Sequence, residues 1–282
     1  MTMNLVLQGP GAGQAQLAQI GALAQAARSQ TLGAHALRCE DVLDTPEVRE
    51  QVAAAAFAAQ VDATFIDAGL SLADFALVAM DMDSTLITIE CIDEIADMQG
   101  LKPQVSEITE AAMRGELDFA ASLTRRVALL EGLDASALAR VYEERLRISM
   151  GGEAMLAAVQ AAGLKTLLVS GGFTFFTERL KQRLGLDYAH ANVLEIEDGR
   201  LTGRVVGGIV DAEEKRRTVE RVCAELSIPA SRAIVMGDGA NDLKMMGIAG
   251  LSVAFRAKPV VRAQADVALN FSGLDGILNV LA

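Results

Sequence analysis

The chain has 282 residues, 51% of them apolar, so a sizeable core can form and one large domain or two smaller ones fit the length. With 25 Lys and Arg against 37 Asp and Glu it carries a formal charge of −12, which argues against a general nucleic-acid or anionic-membrane surface. An anionic substrate stays admissible, because a pocket can be locally basic on an acidic protein. The three cysteines, Cys39, Cys91 and Cys223, are too few and too scattered for a disulfide framework or a zinc site, and free thiols are expected. His35 and His190 have no nearby partner in sequence. The first residues lack the basic start and long apolar run of a secretory signal. The alanine-rich stretch Val52 to Ala59 is far too short to cross a bilayer. A soluble cytoplasmic protein is expected, with no membrane and no nucleic-acid partner.

In chain order, residues 3–8 predict a strand, Gln14 to Arg28 a helix, and Ala34 to Arg38 a second strand. Asp44 or Thr45 then caps a helix with Pro46 at its first position and Glu47 in its first turn. Val61 to Ile66 predicts a third strand, so residues 1–72 are expected to form a small α/β domain. The apolar run Phe75 to Met80 ends on acidic residues and predicts a buried parallel strand. Between about 90 and 147 strand patterns vanish. Phe119, Leu123, Val127 and Leu130 recur there at helical spacing, which predicts a helical insertion. Further apolar strands are expected at Lys165 to Val169, Ala233 to Met236 and Gly250 to Ala254. A hairpin over Asn192 to Val206 should turn at Asp198-Gly199. Alternating strands and helices over 73–282 imply an α/β fold with a parallel sheet covered on both faces.

Three predicted strands end on reactive residues: Asp81-Met82-Asp83-Ser84-Thr85, Ser170-Gly171-Gly172, and Gly237-Asp238-Gly239-Ala240-Asn241-Asp242. Ligands gather at the carboxyl ends of strands in open parallel sheets, so these stretches should converge. Phosphoryl transfer needs that combination. A carboxylate can attack phosphorus, a metal shields the charge repulsion, and other donors hold the phosphate oxygens. Asp81 and Asp238 can give hard oxygen ligands to Mg²⁺. Ser170 and the amide of Gly171 can cradle phosphate at a helix start. Lys215, just before a helix, can deliver one positive charge.

These four pieces, in this order, resemble the four motifs of the haloacid dehalogenase superfamily over residues 75–282. The resemblance implies a Rossmann-like core with an inserted helical cap at about 90–147. It makes Asp81 the nucleophile and Asp83 the acid/base. It further implies Mg²⁺ held by the Asp81 and Asp238 carboxylates and the Asp83 carbonyl, and phosphate held by Ser170, Gly171, Lys215 and Asn241. Glu90 and the cap segment Met113 to Phe119 with Arg125-Arg126-Val127 are further similar to phosphoserine phosphatases. That likeness implies O-phosphoserine hydrolysis at the last step of serine biosynthesis. Glu90 would then take the substrate ammonium and Arg126 its carboxylate, with Met113 and Phe119 closing the pocket. Residues 1–72 carry no diagnostic motif and resemble only loosely the ACT-like regulatory domains of longer members. A homodimer is the candidate assembly.

Alternatives stay open at this level. Arg125 could replace Arg126, since helix facing is not fixed to one residue by sequence. Arg216 or Arg217 could replace Lys215. Asp242 could touch the metal or only support the site. The substrate could be another small phosphate, or the phosphoryl group could pass to homoserine. An amino-acid sensor without catalysis is the reading from another class, and the intact acidic motifs argue against it.

Overall fold

The computed structural model describes residues 2–113 and 116–282, with Met113 described by its backbone alone. Among these residues the strands form two sheets, one of four strands and one of seven.

The first sheet contains β1 (Met3–Gln8), β2 (Arg28–Gly33), β3 (Ala36–Glu40) and β4 (Asp62–Asp67), all antiparallel, in the order β2-β3-β1-β4. Side chains alternate across a strand, and β1 uses both faces. Leu5 and Leu7 join Leu17, Ile20, Val48 and Val52 beneath the helices Gln14–Ala22 and Pro46–Ala58. Val6, between them, packs into the core of the larger sheet's unit. Thr45 is the cap of the second helix, accepting from the Val48 amide at 3.3 Å, and Pro46 occupies its first turn.

The first helix is shorter than its sequence pattern suggests. It ends at Ala22, Gln25 takes a left-handed φ of 51°, and the chain returns as β2 rather than helix. β2 is an almost wholly exposed edge strand, so its sequence carries no apolar alternation to announce it. β3 accordingly starts two residues later than expected, at Ala36.

The second sheet contains β5 (Leu77–Met80), β6 (Lys165–Phe173), β7 (Tyr188–Glu197), β8 (Arg200–Val206), β9 (Ala233–Gly237), β10 (Leu251–Phe255) and β11 (Val267–Leu269), in the order β11-β10-β9-β5-β6-β7-β8. Every pair is parallel except β7-β8. That hairpin turns at Asp198 and Gly199, both with positive φ (49° and 74°), as a two-residue turn matching strand twist requires. β5, β9 and β10 are buried along their whole length, which is why they read as unbroken apolar runs. β11 is three residues long, too short to show a strand pattern in the sequence. β5 lies between β6 and β9 with all three parallel, so their carboxyl ends open side by side. The chain between β5 and β6 contains the helices Cys91–Asp97, Lys102–Met113, Phe119–Ala128 and Ser136–Arg140. Leu123, Val127 and Leu130 are buried as their spacing predicts.

Polar contacts join the two sheets. The buried carboxylate of Asp62 accepts from the amides of Asn270 (2.7 Å), Phe271 and Ser272 (2.8 Å). Arg38 donates to the carbonyls of Asn279 and Val280, and Gln8 donates to Gly276 O.

Candidate active site

Asp81 is the first residue beyond β5. Its amide donates to Met236 O on β9 (3.0 Å), which fixes the strand end, and its Oδ1 accepts from the Met82 amide (2.8 Å). The backbone then makes one wide turn: Leu86 donates to Asp81 O and Ile87 to Met82 O, each five residues back. Ser84 sits in the left-handed region at φ 55°. This turn brings Asp83 round to the helix Cys91–Asp97, whose first amide, Cys91 N, donates to Asp83 Oδ1 at 3.0 Å.

Behind Asp81 stands Lys215, on the helix Ala212–Glu225. Asp211 caps that helix, accepting from the amides of Glu213 and Glu214. Lys215 is fully buried, its Nζ 2.8 Å from Asp81 Oδ1 and 2.7 Å from Asp242 Oδ1. Burial opposes its charge, yet the two carboxylates outweigh burial and raise its pKa. Asp242 turns its other oxygen to the amides of Asp238 (3.2 Å) and Gly239 (3.0 Å). Both of its oxygens are therefore engaged by protein donors, as a supporting residue's would be.

The acids differ in character. Burial, then repulsion from Asp242, push Asp81 well above the ordinary carboxylate range against the pull of Lys215. Burial and the neighbouring Glu90 raise Asp83 to about 7. Asp238 rises to about 6 through burial and Asp242. Carboxylates crowded in this way are what a divalent cation relieves. Oxygens of Asp81, Asp238 and Asp242 lie within 4.8 Å of one another. With Asp242 committed to Lys215 and two amides, Asp81 and Asp238 are the members of this cluster that could hold an ion.

At the end of β6, Ser170 Oγ accepts from the Gly172 amide (2.8 Å), and Asn192 Nδ2 donates to Gly171 O (2.7 Å). The two glycines answer to close approach: a Cβ on Gly171 would lie 2.7 Å from Phe119 Cζ, and one on Gly172 2.6 Å from Asp83 Oδ2.

Asp81, Asp83, Asp238, Ser170, Gly171 and Gly172 line a cavity of about 620 Å³ roofed by the helices after β5, and Lys215 and Asp242 lie outside its lining. Glu90 reaches it from the start of the helix Cys91–Asp97, accepting from Ser84 Oγ at 2.6 Å. Arg126 reaches it from the helix Phe119–Ala128, and its Nε is buried with no hydrogen-bond partner among the described residues. Burial lowers the Arg126 pKa against the opposing pull of Asp93, Glu90 and Asp83. Arg125 is exposed on the same helix, and Arg216 and Arg217 form ion pairs with Glu213 on the surface. Phe119, Ser170, Gly171 and Asn241 also line the cavity, while the Met113 side chain lies outside the described residues. Sequence reasoning missed Thr85, which donates to Asp238 Oδ1 (3.3 Å), and also Asn192, Asp93 and Lys258. Thr85 lies inside the quoted aspartate motif. The others have no local signal.

Residues 78–247 match the model of the haloacid dehalogenase-like hydrolases. The chain belongs to the haloacid dehalogenase-like hydrolase family. A family relative from Polaromonas sp., a phosphoserine phosphatase, is 57% identical over 217 residues, covering 75% of this chain and 92% of its own. A haloacid dehalogenase-like hydrolase from Salmonella enterica subsp. enterica serovar Typhi superposes with a TM-score of 0.89 at 33% identity, over 100% of this chain and 99% of its own. A probable phosphoserine phosphatase from Vibrio cholerae does so at 0.84 and 36%, over 99% and 86%. As a haloacid dehalogenase-like hydrolase, the chain is an enzyme. Among its described residues no helix is long and apolar enough to cross a membrane.

Proposed function

We propose that this chain hydrolyses O-phosphoserine to serine and phosphate through a phospho-aspartate on Asp81, the last step of serine biosynthesis, in the cytoplasm. The observation that carries this reading is that Glu90 and Arg126, whose buried Nε has no hydrogen-bond partner among the described residues, line the same cavity as Asp81. A phosphomonoester with an ammonium and a carboxylate at its other end would satisfy both, and a guanidinium suits a carboxylate by its fork geometry. The names of the relatives support the same substrate.

Asp81 attacks phosphorus as the bond from phosphorus to the serine oxygen breaks, and Asp83 gives its proton to the departing oxygen. Asp83, now a carboxylate, takes a proton from water. That water's oxygen attacks the phospho-aspartate, freeing Asp81 and phosphate. A carboxyl raised to about 7 suits both tasks. Lys215 holds Asp81 in place through Oδ1. Ser170, the Gly171 amide and Asn241 would bind the phosphate oxygens, with Lys215 set behind Asp81 rather than in the cavity lining, and Phe119 would exclude bulk water. Mg²⁺ would be held by Asp81, Asp238 and the Asp83 carbonyl, and supplies shielding of the negative charge on nucleophile and phosphate.

Residues 1–72 are proposed as an ACT-like regulatory unit, and 73–282 as the phosphatase unit with its cap at about 90–147. The four-stranded antiparallel sheet with two helices supports the first assignment. A homodimer is the proposed assembly.

The deciding experiment is phosphate release from O-phosphoserine, other phospho-amino acids and sugar phosphates, each with and without Mg²⁺. Metal-dependent preference for O-phosphoserine is expected, and preference for a sugar phosphate would overturn the assignment.

A further inference from the structure

Among the described residues, the side chains lining the cavity include five carboxylates, Asp81, Asp83, Glu90, Asp93 and Asp238, against two cations, Arg126 and Lys258. Lys215 is sealed behind Asp81 and matched there by two carboxylates, so its charge is locally spent. On a chain of formal charge −12, a phosphomonoester dianion must therefore enter against like charge. A divalent cation against Asp81 and Asp238, with Asp83 protonated, still leaves Glu90 and Asp93 outnumbering Arg126. The function above assigns Arg126 to the far end of the substrate and gives Lys258 no task.

Lys258 is built to keep an ammonium at this mouth. Its amide donates to Asp238 O at 3.1 Å, and it precedes Pro259 as the cap of the helix Pro259–Arg262. The backbone is thus pinned to the loop that contains Asp238, while the side chain stays exposed. Lys258 lines the same cavity as Asp238, beside the phosphate end, and Glu90, beside the amino-acid end. Its charge therefore acts on both the phosphate end and the amino-acid end of the cavity.

We propose that Lys258 is a substrate-capturing residue whose exposed ammonium at the cavity mouth draws in the phosphate dianion and offsets the lining carboxylates. The proposal rests on the phosphomonoester reading of the same cavity. It differs from the roles of Arg126 and Glu90 in serving any phosphomonoester. Because Lys258 is exposed, its field is screened by salt. Charge focusing of this kind changes association by 10-fold or more.

The test measures kcat and KM of the Mg²⁺-loaded full chain with O-phosphoserine and with p-nitrophenyl phosphate. Wild type, Lys258→Ala, Lys258→Glu and Lys258→Arg are compared at low salt and at about 1 M salt, where the screening length is ~3 Å. At low salt Lys258→Ala should raise KM about 10-fold for both substrates, with kcat within about 2-fold of wild type and a larger KM effect for Lys258→Glu. Lys258→Arg should stay close to wild type. The KM differences should shrink to within about 2-fold at 1 M salt. A fall in kcat at unchanged KM, or a loss indifferent to salt, would overturn the proposal and leave Lys258 as a helix cap. An effect confined to O-phosphoserine would overturn it too, moving Lys258 to the amino-acid end. If wild type shows no preference for O-phosphoserine over p-nitrophenyl phosphate, the assigned substrate fails, while a salt-sensitive KM effect on both esters would still uphold the capture role.

Discussion

Gly171 lies directly against the ring of Phe119: a Cβ at this glycine would come within 2.7 Å of Phe119 Cζ. The strand end proposed to cradle phosphate and the cap residue proposed to exclude water are therefore in contact. Gly171→Ala should push the ring outward rather than unfold the core, because the clash is with the end of a side chain. kcat/KM for O-phosphoserine should fall by about 10- to 100-fold, in the range that misplacement of about 1 Å costs, with little change in melting temperature. A crystal structure of the variant with Phe119 unmoved and activity intact would contradict this. Gly172→Ala should be worse, since its Cβ would meet Asp83 Oδ2 at 2.6 Å.

The nucleophile can be tested by near-isosteric exchange. Asp81→Asn keeps the shape but cannot form an acyl phosphate, so turnover should drop by at least about 10³-fold, as loss of a covalent nucleophile does. Circular dichroism should show the fold retained. In wild type, fluoroberyllate with Mg²⁺ should trap on Asp81, and an adduct on another residue would remove Asp81 from its role.

Metal removal should act on stability as well as turnover. EDTA should silence the enzyme and Mg²⁺ restore it, with Ca²⁺ a poor substitute because its higher coordination number invites both oxygens of one carboxylate. Mg²⁺ should also raise the melting temperature of wild type, since a ligand bound only by the folded state stabilises it. Asp238→Asn should abolish most of that increase. An equal increase in the variant would put the ion elsewhere.

Specificity is proposed to rest on Arg126. Arg126→Ala should cost O-phosphoserine about 2–5 kcal/mol, the range for truncating one partner of a buried charge pair. That corresponds to roughly 30-fold or more in kcat/KM. Phosphoethanolamine and p-nitrophenyl phosphate lack the carboxylate and should change little. Equal losses for all three would assign the arginine to the fold or the phosphate instead.

The contact between the two sheets has its own test. Asp62→Ala would strip a buried carboxylate from three backbone amides. A loss of about 3 kcal/mol is expected from the unpaired donors, or about 5–10 °C in melting temperature. Unchanged melting would show that water replaces the carboxylate.

The sequence by itself determined the alternation of buried strands and helices and the strand-end residues. β5, β9 and β10 are sealed on both faces, so they had to be apolar runs, and Asp81, Ser170 and Asp238 each follow directly on a buried run, Ser170 still within β6. It did not announce β2, whose exposed edge needs no apolar pattern, nor the halt of the first helix at Ala22. Only the tertiary structure decided which charged groups meet. Lys215 finds Asp81 and Asp242 across long stretches of chain because β5 and β9 are neighbours in the sheet and the helix Ala212–Glu225 packs beside them. It also turned Arg126 inward and Arg125 outward, although the two are adjacent in sequence. It brought Lys258, a lysine with no motif around it, to the mouth of the cavity. Burial and charge pairing depend on what lies within a few ångströms in space, and that distance is set by packing rather than by position along the chain.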